Sequence, residues 1–443
     1  MAKVHYADLW GLREGKYEYL RENDLISTGW QGLAAVPPYF FLVPKEFDLY
    51  GEYSRGWSIA DALPLSSTGI KTHRDHFVVG FDRADLEERI GAFADAHLSD
   101  GEVRESLSLR DTRDWSLSRS RQILRDRDNW RQCIKPYLYR PFDHRVICYA
   151  GELIEFPRPA VMRNMVVSNI ALVSVRQLVA DTFRHVYVTR ALGDGNAISP
   201  SSREYNHYFP LYLYSETKKQ EPVKRGGIAV TLALFESQPG YGTRKPNLAT
   251  EFVSAVANKL VLTFVPDAKG DLEGTFGPED IFHYMYAVFH SPTYRERYAE
   301  FLKIDFPRLP LTSDLGLFRA LAEKGEELVA LHLMESPALD HPIVKFPVKG
   351  SSEVEKVRYA EPAEGRPGLV YINKAQYFEG VEREVWEFHI GGYQVLEKWL
   401  KDRKGRTLSY DDVSHYGRIV VALKETIRLM GEIDGLIPSW PIE

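Results

Sequence analysis

Residues 139–214 constrain the fold most, because they contain four short runs of strand-forming residues separated by turns that carry arginine. The runs are residues 146–149, 170–175, 185–188 and 208–214. β-branched and aromatic residues are enriched in strands, and polar segments between such runs indicate turns. We expect the four runs to form one rigid sheet.

Seven arginines lie on or between these runs, with a glutamine and an asparagine close by. They are Arg140, Arg145, Arg158, Arg163, Arg176, Arg184 and Arg190, accompanied by Gln177 and Asn196. Arginine and carboxamide side chains match the hydrogen-bonding edges of guanine and adenine in the major groove. The pattern predicts a surface that reads DNA sequence, although any one of these arginines, taken singly, is better explained as an ordinary solvated surface residue.

The charge distribution limits which part of the chain can bind a polyanion. The 443 residues carry a net charge of −6, whereas proteins that coat nucleic acid are strongly basic. Residues 113–190, however, contain fourteen Lys and Arg against seven Asp and Glu, a local balance of +7. A basic band on an acidic body indicates a polyanion that is bound at one defined face.

The cysteine and histidine patterns do not predict a metal or redox site. Cys133 and Cys148 have neither metal-type nor redox-type spacing, and we expect two buried free thiols. His73 and His76 lack a third ligand nearby. Without a signal peptide or a long apolar span, the chain is expected in the cytoplasm, with no membrane partner.

Catalytic motifs are missing from the sequence. Val36-Pro37-Pro38-Tyr39 is similar to the Pro-Pro-Tyr core of amino-methyltransferase catalytic loops, but those loops begin with an Asn or Asp that accepts from the target amino group. Valine has no such acceptor, so we expect a turn that enters a buried strand at residues 39–44. A Gly-rich AdoMet-binding turn and a P-loop are also absent from the sequence, and its spacing does not indicate a Ser-His-Asp arrangement. The sequence therefore predicts neither a catalytic residue nor a cofactor site in this chain.

Composition and periodicity divide the chain into four segments. Residues 1–135 are expected to be α/β with an Arg-rich helix, 136–225 a β-rich recognition core, 226–340 the α/β remainder, and 341–443 a surface crossing and a C-terminal helical bundle. A polar hinge is expected at residues 215–227, and a long helix from residue 409 or 410 to 433. The predicted fold class is mixed α/β, with a central sheet-based domain and a closing helical bundle.

The Arg-rich helix, predicted within residues 115–130, has two interpretations. It is either a salt-bridged surface helix or a helix that lies along the phosphate backbone, because phosphate contacts need only surface Arg or Lys.

Several motifs together resemble the C-terminal target-recognition region of type ISP restriction-modification enzymes. They are Tyr139-Arg140-Pro141-Phe142-Asp143-x-Arg145, the run at 158–165, Val175-Arg176-Gln177, and Asn206-x-Tyr208-Phe209-Pro210-Leu211-Tyr212. The resemblance continues through residues 4–14, 280–310 and 371–434. Those enzymes combine nuclease, helicase-like ATPase, N6-adenine methyltransferase and specificity segments in one bacterial polypeptide.

The resemblance implies that this chain is a specificity part which binds double-stranded DNA and positions an adenine for a separate methyltransferase domain. Methyltransferase and helicase-nuclease segments would be its partners. AdoMet, ATP and magnesium would belong to those missing segments. Two alternatives stay open, namely a structural or protein-interaction segment of such an enzyme and a divergent methyltransferase fragment.

Within that interpretation, Arg176 and Gln177 are the best candidates for base-edge contacts, because a strand ending in Arg-Gln at a sheet edge aims both side chains into a groove. The other arginines are expected to contact phosphates, and Asn196 is a further candidate DNA contact.

Overall fold

The structure is a computed structural model, and it describes residues 3–37, 39–127, 129–179, 182–215, 243–363 and 367–443. The chain divides into two compact units, Met1–Glu52 and Tyr53–Glu443. The division into four segments stays a prediction. Apart from residue 215, the predicted hinge at 215–227 lies outside the described residues.

Strands and helices are both distributed along the chain, which confirms the predicted mixed fold class. The strands are β1 Val4–Tyr6, β2 Gln31–Leu33, β3 Trp57–Ser58, β4 Ser67–Thr68, β5 Val79–Gly80, β6 Ile134–Arg140, β7 Asp143–Cys148, β8 Ala171–Val175, β9 Val186–Thr189, β10 Leu192–Gly193, β11 Asn206–Pro210, β12 Tyr212–Tyr214, β13 Arg244–Pro246, β14 Thr263–Phe264, β15 Thr275–Phe276, β16 Arg308–Leu309, β17 Arg358–Ala360, β18 Leu369–Tyr371, β19 Tyr377–Glu379, β20 His389–Ile390 and β21 Tyr393–Gln394. The helices are α1 Arg13–Glu22, α2 Tyr50–Tyr53, α3 Ile59–Ala62, α4 Asp75–Val78, α5 Arg83–Ala94, α6 Asp100–Ser106, α7 Leu117–Arg125, α8 Pro159–Met162, α9 Thr250–Leu260, α10 Pro278–His290, α11 Pro292–Arg297, α12 Ala299–Leu302, α13 Leu315–His332, α14 Arg383–Trp386, α15 Val395–Lys401 and α16 Tyr410–Leu436.

The first unit contains an antiparallel pair, β1 and β2, and the helix α1, which buries none of its residues. The predicted turn near Pro37 is present, but the predicted buried strand at 39–44 was wrong. Phe40 and Leu42 are 54% and 65% exposed. A strand needs a neighbour for its backbone groups, and an apolar run alone does not supply one.

The second unit contains two four-stranded sheets, with strand orders β10-β6-β7-β5 and β4-β11-β8-β9. The expectation of one sheet was therefore wrong, because β7 belongs to the first sheet and β8, β9 and β11 belong to the second. The chain changes sheets between β9 and β10 across only residues 190 and 191. All residues of β8 and β9 are buried, so the second sheet is covered on both faces.

Three long helices, α10, α13 and α16, pack on one another beside the second sheet. At Gly325 of α13, a Cβ atom would overlap the carbonyl of His283 in α10, so glycine permits this close crossing. The predicted C-terminal helix is confirmed as α16. Its bundle partners α10 and α13, however, come from before residue 341.

A buried polar chain joins the bundle to the second sheet. The imidazole of His332 is 2.5 Å from the Tyr286 hydroxyl through Nδ1 and 3.0 Å from the Thr426 hydroxyl through Nε2. The His332 carbonyl accepts a hydrogen bond of 3.1 Å from the Tyr187 hydroxyl of β9. Each polar group of the histidine therefore has a partner in a different element, which orients α10, α13 and α16 against the sheet.

Among the described residues, Cys133 and Cys148 are buried free thiols, as predicted. The same part of the chain contains no group of three or more His, Cys, Asp or Glu side chains placed to hold a metal ion. In the described ranges we also find no helix with both the length and the apolar character that crossing a membrane requires.

Candidate nucleic-acid interface

One end of the second sheet brings together segments that are distant in sequence. Val175, the last residue of β8, pairs with Asn206, the first residue of β11, and Ser174 pairs with Val186 at the start of β9. Residues 176–179 and 203–205 therefore emerge side by side. We call this region the β8 end.

Glu204 holds the loops of the β8 end in place. Its carboxylate accepts a hydrogen bond of 2.5 Å from the Val179 amide and one from the Ser199 hydroxyl, and it lies 3.4 Å from His185 Nε2. Burial by itself favours the neutral acid, but the hydrogen bonds from His185, Ser199 and Val179 lower the pKa of Glu204 to about 2. The carboxylate is therefore ionised at neutral pH and connects three loop segments.

Arg176 and Gln177, the predicted base-contacting pair, lie exposed at the β8 end. The Arg176 side chain is 63% exposed, and its Nε lies 3.0 Å from Oδ1 of Asp305. Such a solvated ion pair contributes little to stability, so the guanidinium is readily transferred to another acceptor. The position suits a contact with a large external ligand.

A second group of side chains lies beside this pair, and we call Lys71, Phe156, Arg158 and Tyr205 the basic-aromatic cluster. The Lys71 ammonium is 4.0 Å from the ring centroid of Tyr205, and the Arg158 guanidinium is 5.2 Å from that of Phe156. The two pairs are joined because Lys71 and Phe156 exchange backbone hydrogen bonds of 3.2 and 3.0 Å. Only Arg158 was predicted from the sequence.

His207 is a half-buried residue of β11 that lies close to the β8 end, where it pairs with Ser174. Its ring packs edge-on against Phe306, with centroids 5.0 Å apart. Burial, followed by the positive charges of Arg176 and Arg158, lowers the pKa of His207 to about 4. The basic-aromatic cluster and Arg176 are close by position, because Tyr205 belongs to residues 203–205, which emerge beside residues 176–179 at the β8 end.

Arg140 and Arg145 occupy a different environment from the one predicted. Their side chains are 12% and 11% exposed. Arg140 Nη1 lies 3.0 Å from Asp194 Oδ1, and Arg145 Nη2 lies 2.8 Å from Asp143 Oδ2. Asp143 also binds Arg403 at 3.0 Å, which connects β7 to the C-terminal region. Both guanidinium groups are engaged inside the protein, and this structural role takes precedence over the predicted phosphate contact.

The remaining predicted residues do not form one group. Arg190 is 50% exposed, pairs with Glu335 at 2.8 Å, and follows β9 at the opposite end of the sheet from Arg176. Arg184 is half-buried near the β8 end, and its carbonyl accepts from the Gly391 amide at 2.7 Å. Arg163 is half-buried in a 3-10 turn. Asn196 donates to the Ser199 carbonyl at 3.2 Å, which is a loop-stabilising contact.

The Arg-rich helix α7 is a structural element in its central part. The buried Arg121 donates hydrogen bonds of 2.7–2.9 Å to the carbonyls of Phe93, Asp95 and Leu98 around the end of α5. Arg125 donates to the Ala94 carbonyl at 2.8 Å. These arginines satisfy carbonyls that the helix itself leaves free. The phosphate-backbone interpretation is therefore not needed to explain them.

Comparison with known proteins agrees with the resemblance. A family model described as the Type ISP C-terminal specificity domain matches residues 61–432. The chain belongs to this family. The specificity-domain assignment confirms the family predicted from the motifs of residues 139–214. None of the curated proteins compared with the chain matches it.

Three solved structures share the fold of this specificity domain. A nuclease-deletion mutant of the Type ISP enzyme LlaGI in complex with a DNA substrate mimic is 17% identical, with a TM-score of 0.62 over 97% of this chain and 33% of its own. A DrdV-DNA complex is 19% identical, with a TM-score of 0.66 over 95% and 42%. The ATP-dependent Type ISP enzyme LlaBIII bound to DNA is 16% identical, with a TM-score of 0.63 over 94% and 26%. The specificity domain thus spans less than half the length of each of these proteins.

Proposed function

We propose that this specificity domain recognises a short asymmetric site in double-stranded DNA through the β8 end. The observation that carries the proposal is the joint exposure of Arg176 and Gln177 at the end of a buried, rigid strand. Side chains on a rigid element reach base edges with a defined geometry, and arginine and glutamine are matched to guanine and adenine.

The DNA complexes of the three structural neighbours support DNA as the ligand class. In this proposal the domain holds the duplex so that a methyltransferase domain elsewhere in the full-length enzyme methylates an adenine. AdoMet, ATP and magnesium would be bound by those other segments, and helicase-nuclease segments would be further partners. The residues of this chain supply binding and orientation of the duplex.

The test is selection of binding sites from a randomised duplex library with the purified chain at two salt concentrations. We expect enrichment of one asymmetric motif. Arg176→Ala and Gln177→Ala are expected to relax the preference at individual positions, at a cost of about 1–3 kcal/mol for Arg176. Arg163→Ala is expected to weaken binding to all sequences alike.

Arg190→Ala is the matched control, because Arg190 is also at least half exposed and also paired with a carboxylate but lies at the other end of the sheet. Salt-sensitive binding without an enriched motif would contradict the proposal. The same conclusion would follow if Arg176→Ala and Arg190→Ala changed the motif equally.

A further inference from the structure

The Lys71 ammonium and the Tyr205 ring form a cation-π pair. The ammonium lies 4.0 Å from the ring centroid, and Tyr205 is 44% exposed. The stem of Lys71 is confined, because Gly195 approaches it so closely that an added Cβ would lie 3.1 Å from Lys71 Cγ. The Lys71 ammonium is therefore held beside the Tyr205 ring, and part of this ring is exposed to solvent.

Phe156 and Arg158 repeat this arrangement next to the first pair. Phe156 is 39% exposed although it is fully apolar. Arg158 has a left-handed backbone with φ of 54° immediately before Pro159 and α8, and this turn directs its guanidinium to 5.2 Å from the Phe156 ring centroid. Arg158 Nε is a buried donor that has no acceptor within the part of the chain that the structure describes.

The carboxylates near the cluster are already engaged. Glu155 lies 3.0 Å from His73 Nδ1 and 3.4 Å from Arg74 Nη2. Glu204 is 4% exposed and bound by the loops of the β8 end. Lys71 and Arg158 are both half-buried, and these acids are bound to other partners and do not neutralise their positive charge.

Exposed rings flanked by cations are suited to nucleic acid. Lysine and arginine neutralise phosphates, while aromatic faces stack on bases and pack on sugars without reading sequence. A site for an acidic peptide would use the same cations, but it would gain little from two exposed rings. Position adds to the argument, because Tyr205 of this cluster immediately precedes Asn206, which pairs with Val175 beside Arg176.

We infer that the basic-aromatic cluster is a second DNA contact, in which Lys71 and Arg158 bind phosphates and Phe156 and Tyr205 pack against the adjoining sugars and bases. The inference rests on the proposed function for its ligand class. In this inference the cluster binds the duplex independently of its sequence, and Arg176 and Gln177 make the base contacts that depend on sequence.

The experiment measures Kd by fluorescence anisotropy over a series of KCl concentrations, with the full chain and two labelled duplexes, one carrying the selected motif and one scrambled. Lys71→Ala and Arg158→Ala are each expected to weaken binding to both duplexes and to reduce the slope of log Kd against log salt by about 1. Phe156→Leu and Tyr205→Leu are expected to weaken binding about tenfold with an unchanged salt slope.

Controls separate the cluster from general effects. Tyr410 is 86% exposed and Lys404 is exposed, both far along the chain, and Tyr410→Leu and Lys404→Ala are expected to bind like the parent chain. Tyr205→Phe retains the ring and is expected to retain the affinity. Thermal unfolding of each variant shows whether it is folded.

The outcomes distinguish the inference from the proposed function. If the folded cluster variants bind like the two controls while the parent chain prefers its motif, the inference is wrong and the function stands. If the parent chain shows no motif preference but the cluster variants lose affinity as described, the function is wrong and the inference stands. Failure of the parent chain to bind either duplex would overturn both.

Discussion

Arginines that were all predicted to contact DNA occupy two contrasting regions of this molecule. Arg140 and Arg145 are 12% and 11% exposed beside Asp194 and Asp143, whereas Arg176 and Arg190 are 63% and 50% exposed beside solvated carboxylates. The first region holds elements together, and the second has charge available to a ligand. The difference teaches that the role of an arginine depends on which carboxylate reaches it and on how much water remains around the pair.

The buried region gains its stability from packing as well as charge. The guanidinium groups of Arg145, Arg403 and Arg406 lie 4.1, 5.2 and 4.0 Å from the ring centroid of Phe81. Residues that are more than 250 positions apart in sequence therefore meet around one ring. Such stacked guanidinium groups are not replaceable by lysine without loss of planar contact.

The largest effect is expected from Asp143→Ala, which removes the common partner of Arg145 and Arg403. Although burial opposes ionisation, Arg403 and Arg145 hold the pKa of Asp143 below its ordinary value. Removing the carboxylate leaves Arg145 and Arg403 with only their more distant carboxylates, Asp402 at 3.9 Å and Asp412 at 3.6 Å, and we expect the free energy of unfolding in urea to fall by about 3–5 kcal/mol.

Glu335→Ala provides the comparison for that variant, because Glu335 pairs with the exposed Arg190. Its effect is expected to stay within about 0.5 kcal/mol. Equal losses in the two variants would remove the distinction between the buried and exposed regions.

The next effect concerns pH and His332 in the buried polar chain. Burial, with Arg295 nearby, lowers its pKa from 6.5 to about 3. The unfolded chain therefore binds the proton first as pH falls, so stability is lost between pH 6.5 and pH 3. Between pH 7 and pH 5 we expect this residue to account for a loss of about 2 kcal/mol.

Urea titrations of the parent chain and His332→Gln at both pH values measure that contribution. The variant is expected to lose correspondingly less stability on acidification, and His341→Gln at an exposed position serves as the control. An unchanged pH dependence in His332→Gln would show that the buried histidine does not titrate as described.

A smaller effect is expected from Glu204→Gln at the β8 end. Glutamine keeps the size of the side chain but weakens the charge-assisted hydrogen bonds to Ser199 and Val179, so the free energy of unfolding should fall by about 1.5 kcal/mol. Hydrogen exchange of the Val179 amide should become faster. Glu296→Gln, at an exposed position, is the control variant. If the Val179 amide exchanged as slowly in Glu204→Gln as in this control, the Glu204 carboxylate would not anchor the loop.

The smallest stability change is expected from Arg176→Ala, within about 0.5 kcal/mol, because its pair with Asp305 is largely solvated. A variant that alters DNA preference at unchanged stability would sharpen the contrast with Asp143→Ala. A loss of several kcal/mol in urea titration would instead place Arg176 with the buried arginines.

Local patterns predicted the elements that depend on neighbours in sequence. The apolar stripe of the C-terminal helix is repeated every turn, and this helix formed within a few residues of the predicted bounds. The strand runs were found for the same reason. The apolar run at 39–44 shows the limit, because it had the composition of a strand without a strand to pair with.

The sequence by itself determined the family, the mixed fold class, the C-terminal helix and the Arg-Gln pair that follows β8, since all of these are written in contiguous motifs. Only the tertiary structure decided the division into two sheets, the burial of Arg140 and Arg145, and the meeting of Lys71, Phe156, Arg158 and Tyr205 beside Arg176. The physical reason is that strand pairing, ion pairing and cation-ring contact join residues separated by tens to hundreds of positions. Their energies depend on distance and on access of water, which a linear pattern does not contain.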